Sequence, residues 1–283
     1  MKLPIIKSAI IAGGLALGAS SAYAGDALTV VSWGGAYTKS QIEAYHKPYT
    51  AKYGTKIQSE DYNGGLAEIR AQVEAGKITW DVVGLEVSDA ARGCDDGLFE
   101  KISAGSLPNG VNGALPSKDF IPGALQECAV GTIVWSTIYA YDADKYKSKK
   151  PTTISDFFDV KKFPGKRGMR KVPKVNLEWA LMADGVDGKD VYKVLATKAG
   201  QDRAFKKLDT IKNDVLWWEA GAQPPQMLAD GEVVMTSAYN GRIFNAAVTE
   251  KKNFEIVWDR QLFSFDLYAI IKGTPRFKEA LRY

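Results

Sequence analysis

The sequence has 283 residues but only one histidine, His46. HExxH metalloproteases, multi-histidine zinc sites and facial-triad iron sites need more imidazoles than that, so no metal site is expected. Cysteine is almost as scarce. Cys94 and Cys128 are the only two, which excludes a disulfide-dependent miniature scaffold, and their spacing matches neither a CxxC redox motif nor a zinc cluster. Neither sign of charge dominates: a formal net charge of +4 is too mild for a nucleic-acid reader. Catalytic signatures are missing too. There is no G-x-S-x-G elbow, no Walker A sequence, no G-x-G-x-x-G and no EF-hand loop. His46 lies among Tyr45, Lys47 and Pro48 with no local nucleophile, and reads as a packing or solvent-facing residue. The chain is not expected to be an enzyme or to carry a cofactor.

What is present begins with an export signal. Lys2 and Lys7 form a basic lead, Ala9 to Leu17 an apolar run, and Ala22-Tyr23-Ala24 an A-x-A cleavage site, the three-part layout of a secretory leader. The apolar run is too short to cross ~30 Å of hydrocarbon as a helix. Cleavage after Ala24 and a periplasmic product follow as expectations. In an oxidising compartment an isolated cysteine pair is read as bridged, a Cys94–Cys128 link giving ~3 to 4 kcal/mol; two buried thiols are the alternative.

Strand and helix signals alternate after the leader. Leu28 to Trp33, Lys56 to Asp61 and Trp80 to Leu85 read as strands. Ala36 to Tyr53, kinked by Pro48, and Leu66 to Ala75, ending at Gly76, read as helices between them. This βαβαβ order implies α/β architecture with a parallel sheet, whose ligands bind beyond the carboxyl ends of the strands. Trp33, Tyr37 and Glu86 fall on that rim. Ala129 to Tyr141 is a long β-branched and aromatic run able to carry the chain between two lobes. Val215 to Trp218, Val233 to Ser237, Phe254 to Trp258 and Leu267 to Lys272 read as further strands, and Phe277 begins an amphipathic helix.

Ser32-Trp33-Gly34-Gly35-Ala36-Tyr37, Asp81-Val82-Val83, Gly231-Glu232-Val233 leading to Ala238-Tyr239-Asn240-Gly241, and Phe265-Asp266-Leu267-Tyr268-Ala269-Ile270 occur in that order. Together they resemble the periplasmic solute-binding proteins of ABC importers, specifically the spermidine/putrescine-binding group. The resemblance implies a type II-like two-lobe fold, each lobe a mostly parallel sheet flanked by helices. Lobe one would be residues 25–136 with a return over 264–283, and lobe two 137–263. The family continues into further helices, so the resemblance also implies C-terminal helices missing after Tyr283. It implies a monomer that binds a small amine and delivers it to a membrane permease, with no nucleic-acid partner.

The resemblance places Trp33 and Tyr37 as aromatic contacts to an alkylammonium, and Asp266 as the amine-binding carboxylate. Glu86, placed by its rim position, supplies a second carboxylate for a second ammonium. Tyr239, Asn240 and Gln223 or Gln226 would contribute from lobe two, and Trp135 and Ser136 would line the hinge. At most one of Trp217 and Trp218 faces the cleft, because neighbours alternate along a strand. Polyamine binders usually carry carboxylates where this chain has Val172 to Glu178, a stretch with only Glu178 acidic. If Arg170, Lys174 or Arg242 faces the cleft instead, a carboxylate is suited, and an amino acid, opine or betaine fits better than a polycation. A polyamine is the first expectation and a zwitterionic amine the second. Ferric iron or an anion is a further alternative, although Tyr139 and Tyr141 are not adjacent, and a secreted enzyme comes last.

Overall fold

Alternating apolar side chains on the strands build two cores for each half of the molecule. The computed structural model describes residues 27–283; the leader expected at Met1 to Ala24 lies outside the described residues. Eight strands form one sheet: β1 (Leu28–Ser32), β2 (Ile57–Asp61), β3 (Val82–Glu86), β4 (Ala129–Asp142), β5 (Arg167–Arg170), β6 (Val215–Trp218), β7 (Met235–Tyr239) and β8 (Phe254–Ile270). Their order is β2-β1-β3-β8-β4-β7-β5-β6. Parallel pairs, β1 with β2 and β3 and β5 with β6 and β7, make the two ends of the sheet. β4 and β8 run antiparallel to each other through its middle.

The period of two is visible in the packing. Val31, Val83, Leu85 and Leu267 belong to one buried cluster, while Val30, Val82 and Ile270 belong to another on the opposite face. In the other half Tyr139 and Tyr141 join Phe157, Phe163 and Trp179, and Ile138 and Ala140 join Trp218, Leu228 and Ile243. Among the described residues no cluster draws from both halves, as in a two-lobe α/β fold. Only β4 and β8 serve both, and their ladder shifts register between Gly131 and Ile133 and again between Thr137 and Tyr139.

Three local features depart from the sequence reading. β8 is one strand of 17 residues rather than two: β4 pairs with Phe254 to Val257 and again from Leu262 to Ala269, and the ladder shifts register across the intervening Trp258 to Gln261. The irregularity expected at Pro48 lies upstream of it, as a π-helical turn over Ile42–His46 between α-helices Gly35–Gln41 and Lys47–Tyr53. The proline ring crowds the carbonyl four residues back, at Ala44, which is inside that turn. Thirdly, β3 does not close a purely parallel unit; its second neighbour is antiparallel β8. Cys94 and Cys128 are bridged, with Cα atoms 5.7 Å apart, which ties the helix Val87–Asp95 to the chain entering β4. No helix among the described residues is long and apolar enough to cross a membrane.

Candidate functional site

The carboxyl ends of β1, β2, β3, β5 and β7 converge on a cavity of about 380 Å³, floored by the crossing strands β4 and β8. Trp33, Tyr37, Glu86, Tyr239, Asn240, Asp266 and Trp135 all line it. Of the residues picked from sequence, Gln223, Gln226 and Ser136 do not. Gln223 turns back on its own loop, where its Oε1 accepts from the amides of Glu219 and Ala220, so it is corrected from a cavity residue to a turn residue. The Ser136 amide donates to Asn240 Oδ1 at 3.0 Å and fixes that side chain against β4. Trp218 is buried, Trp217 is exposed, and neither lines this cavity.

Asp266 is buried on β8. Trp135 Nε1 donates to its Oδ1 at 2.9 Å, and the Tyr37 hydroxyl also bonds it. Burial pushes its carboxyl up to about 7; these two hydrogen bonds oppose the shift without cancelling it, and the Glu86 charge adds to it. Among the described residues no lysine or arginine forms an ion pair with it. An aromatic-walled carboxylate that lacks a cation is suited to receive an ammonium.

Glu86 faces Asp266 directly across the β3–β8 ladder. Two like charges on one rung repel, and here one of them is neutralised from the other half of the molecule. Arg170 Nη1 meets Glu86 Oε1 at 2.7 Å, and Lys174 Nζ bonds Glu86 Oε2 and, at 3.0 Å, Ser88 Oγ. Burial works against the Glu86 charge, yet the two cations outweigh it and hold the carboxyl below its ordinary value. The expectation that Glu86 stands free to hold an ammonium is therefore corrected: both of its oxygens are occupied.

Arg242 is the third cation. It lies in the first turn of the helix Asn240–Val248 and is buried, and its Nη2 donates to the Trp33 carbonyl at 2.7 Å. Two glycines let it approach. A Cβ on Gly35 would stand 2.8 Å from its Nη1, and one on Gly221 would stand 3.0 Å from its Nε. Burial lowers its pKa, while Tyr239, Asp61 and Asp266 favour its charge. Tyr239 packs edge-on against Trp135 at 5.0 Å and Trp218 at 5.8 Å between ring centres. Sequence reasoning passed over Tyr62 and Asn63, which follow β2 and line the cavity. The strand-end rule applied to Trp33 would have found them, and Tyr62 does stack on Trp33 at 5.0 Å.

A cavity with carboxylate and guanidinium groups together is not the acidic slot a polycation requires, and the comparisons agree. The chain is 47% identical over 262 residues, 93% of its length and 72% of the relative's, to a gamma-aminobutyric acid-binding protein of Pseudomonas aeruginosa. Among solved structures it resembles a periplasmic binding protein of Agrobacterium tumefaciens B6 in complex with glucopine. That likeness has a TM-score of 0.82 and 32% identity, covering 90% of this chain and 76% of the other. A protein described as a GABA receptor matches with a TM-score of 0.75 and 32% identity, over 91% and 76% of the two chains. The similarity thus favours the zwitterionic-amine alternative over the polyamine first expected. The family model for bacterial extracellular solute-binding proteins matches residues 44–283. The chain belongs to that family: it is a substrate-binding protein of an ABC transporter and not an enzyme.

Proposed function

We propose that the protein binds a small ω-amino acid, with gamma-aminobutyric acid as the first candidate, and presents it in the periplasm to the permease of an ABC importer. The observation that carries this reading is the pairing within one cavity of a carboxylate without a cation, Asp266, and a buried guanidinium, Arg242. The ammonium sits on Asp266 between Tyr37 and Trp135, and the carboxylate on Arg242. The named relatives support the ligand class. We further propose that the lobes divide near Ser136/Thr137 and Phe263/Ser264, with the β4–β8 crossing as hinge, supported by the absence among the described residues of any buried cluster spanning it. Cleavage after Ala24 and a monomeric product belong to the same reading.

Titration calorimetry with gamma-aminobutyric acid and putrescine tests the ligand class. Saturable binding of the amino acid with putrescine at least ~100-fold weaker, a difference of about 2.7 kcal/mol, is expected. Equal or tighter putrescine binding overturns it. An opine is the second reading. The cavity, about 380 Å³, lies within the ~300–1,000 Å³ range of drug-sized sites, and the glucopine-bound relative shares the fold closely.

A further inference from the structure

Selectivity between an amino acid and a diamine is set where the two carboxylates share a rung. A diamine presents a cation at each end and needs two acidic sockets. Asp266 is one. Glu86, its cross-strand partner on β3, is the obvious second, and it is as deeply buried, at 7% exposure against 6%. Yet Arg170 occupies one Glu86 oxygen and Lys174 the other.

Both cations are held in place by further groups besides Glu86. Arg170 ends β5, is 17% exposed at its side chain, and also donates to the Asn63 carbonyl at 3.4 Å. Lys174 is anchored to Ser88. Asn176 closes the intervening loop, its Nδ2 donating to the carbonyls of Arg170 and Val172, each at 2.7 Å. Between Lys174 and Asn176, Val175 takes a left-handed backbone at φ 71°, a conformation that is strained for a β-branched residue. A strained turn beside a functional pair is consistent with geometry retained for that pair.

We infer that Arg170 and Lys174 are specificity-determining residues: by occupying both oxygens of Glu86 they remove the second ammonium socket and exclude diamines from a site that otherwise has the two carboxylates to hold one. This rests on the proposed ammonium site at Asp266. It differs from a general charge effect, because the cations act through one named carboxylate.

The test is calorimetry with gamma-aminobutyric acid and putrescine on four proteins: the unaltered chain, Arg170→Gln/Lys174→Gln, the same double variant with Glu86→Gln added, and Lys166→Gln. Lys166 precedes β5 and bonds the Asn213 carbonyl, away from the cavity. The double variant is expected to gain at least tenfold in putrescine affinity, Glu86→Gln to abolish that gain, and Lys166→Gln to produce none. Should the double variant fail to give a cooperative melt, Lys174→Gln alone, at a half-exposed position, is expected to show a smaller gain of the same sign. Unchanged putrescine affinity in a folded variant overturns the inference, as does a gain that survives Glu86→Gln or appears with Lys166→Gln. Failure of the unaltered chain to bind gamma-aminobutyric acid would instead sink the proposed ligand, while the putrescine comparison still decides the role of the two cations.

Discussion

Asp266 and Glu86 are equally buried, face each other across one ladder, and titrate in opposite directions. The Asp266 carboxyl is pushed up to about 7, with only neutral donors bonded to it, whereas Glu86 is held below its ordinary value by two cations from the other half of the molecule. Burial alone would raise both. The difference teaches that the partners decide which carboxylate stays available. Asp266 keeps an unspent demand for positive charge, and Glu86 has had that demand met by the protein itself.

Removing each carboxylate should therefore have unlike effects. Asp266→Ala takes away the ammonium's only counter-charge and is expected to cost about 4 kcal/mol of binding, roughly a thousandfold in Kd; calorimetry showing a change under tenfold would erase the contrast. Glu86→Gln leaves Arg170 and Lys174 facing each other without their counter-ion. It is expected to cost about 3 kcal/mol of folding stability, read from urea midpoints. Asp266→Asn should shift the same midpoint upward above neutral pH, because it removes a carboxylate whose ionisation the fold resists. Midpoints moving in the same direction would contradict the assignment.

The smallest effect is the pH dependence, and its sign follows from the two shifts. An acid with a raised folded-state pKa penalises the fold as pH climbs from its ordinary value, about 3.9 for Asp, to the folded value, about 7 for Asp266. An acid with a lowered pKa, Glu86, contributes stability above its ordinary value and loses it as pH falls through the folded one. Below neutrality an ammonium ligand must displace the Asp266 proton. Affinity should fall about tenfold for each pH unit below about 7, some 1.4 kcal/mol per unit. Calorimetry at about pH 6 in buffers of different ionisation enthalpy should show close to one proton released per ligand. A flat profile would mean that Asp266 is already charged before the ligand arrives.

Much of this was legible in the sequence, for identifiable reasons. Alternating strand and helix patterns placed Trp33, Tyr37 and Glu86 at strand ends, and the family resemblance, not any local pattern, pointed to Asp266. The sequence leaves open whether Arg170, Lys174 or Arg242 faces the cleft and so suits a carboxylate; Arg170 and Arg242 line the cavity, and Lys174 does not. The neutralisation of Glu86 was not legible, because its partners lie 84 and 88 positions away and meet it only through the fold. Gln223 was misplaced because a glutamine beside a cleft and one capping its own turn look alike in sequence. β8 reads as two strands because its middle, Trp258 to Gln261, sits at a register shift without partners on β4, and only the pairing on either side joins it into one.

The position of Trp135 and Asp266 on the crossing strands has a mechanical consequence. In a rotation about that crossing, an atom's travel grows with its distance from the axis. If the crossing is the hinge proposed above, the carboxylate on β8 and the indole on β4 would lie near its axis, with almost no lever arm, while Arg242, on the helix Asn240–Val248, would sweep outward. On that proposal the half-site for the ammonium would persist whether the jaws were open or shut, and only the far end of the ligand would be gained and lost. Docking would proceed amine first, and release into the permease carboxylate first.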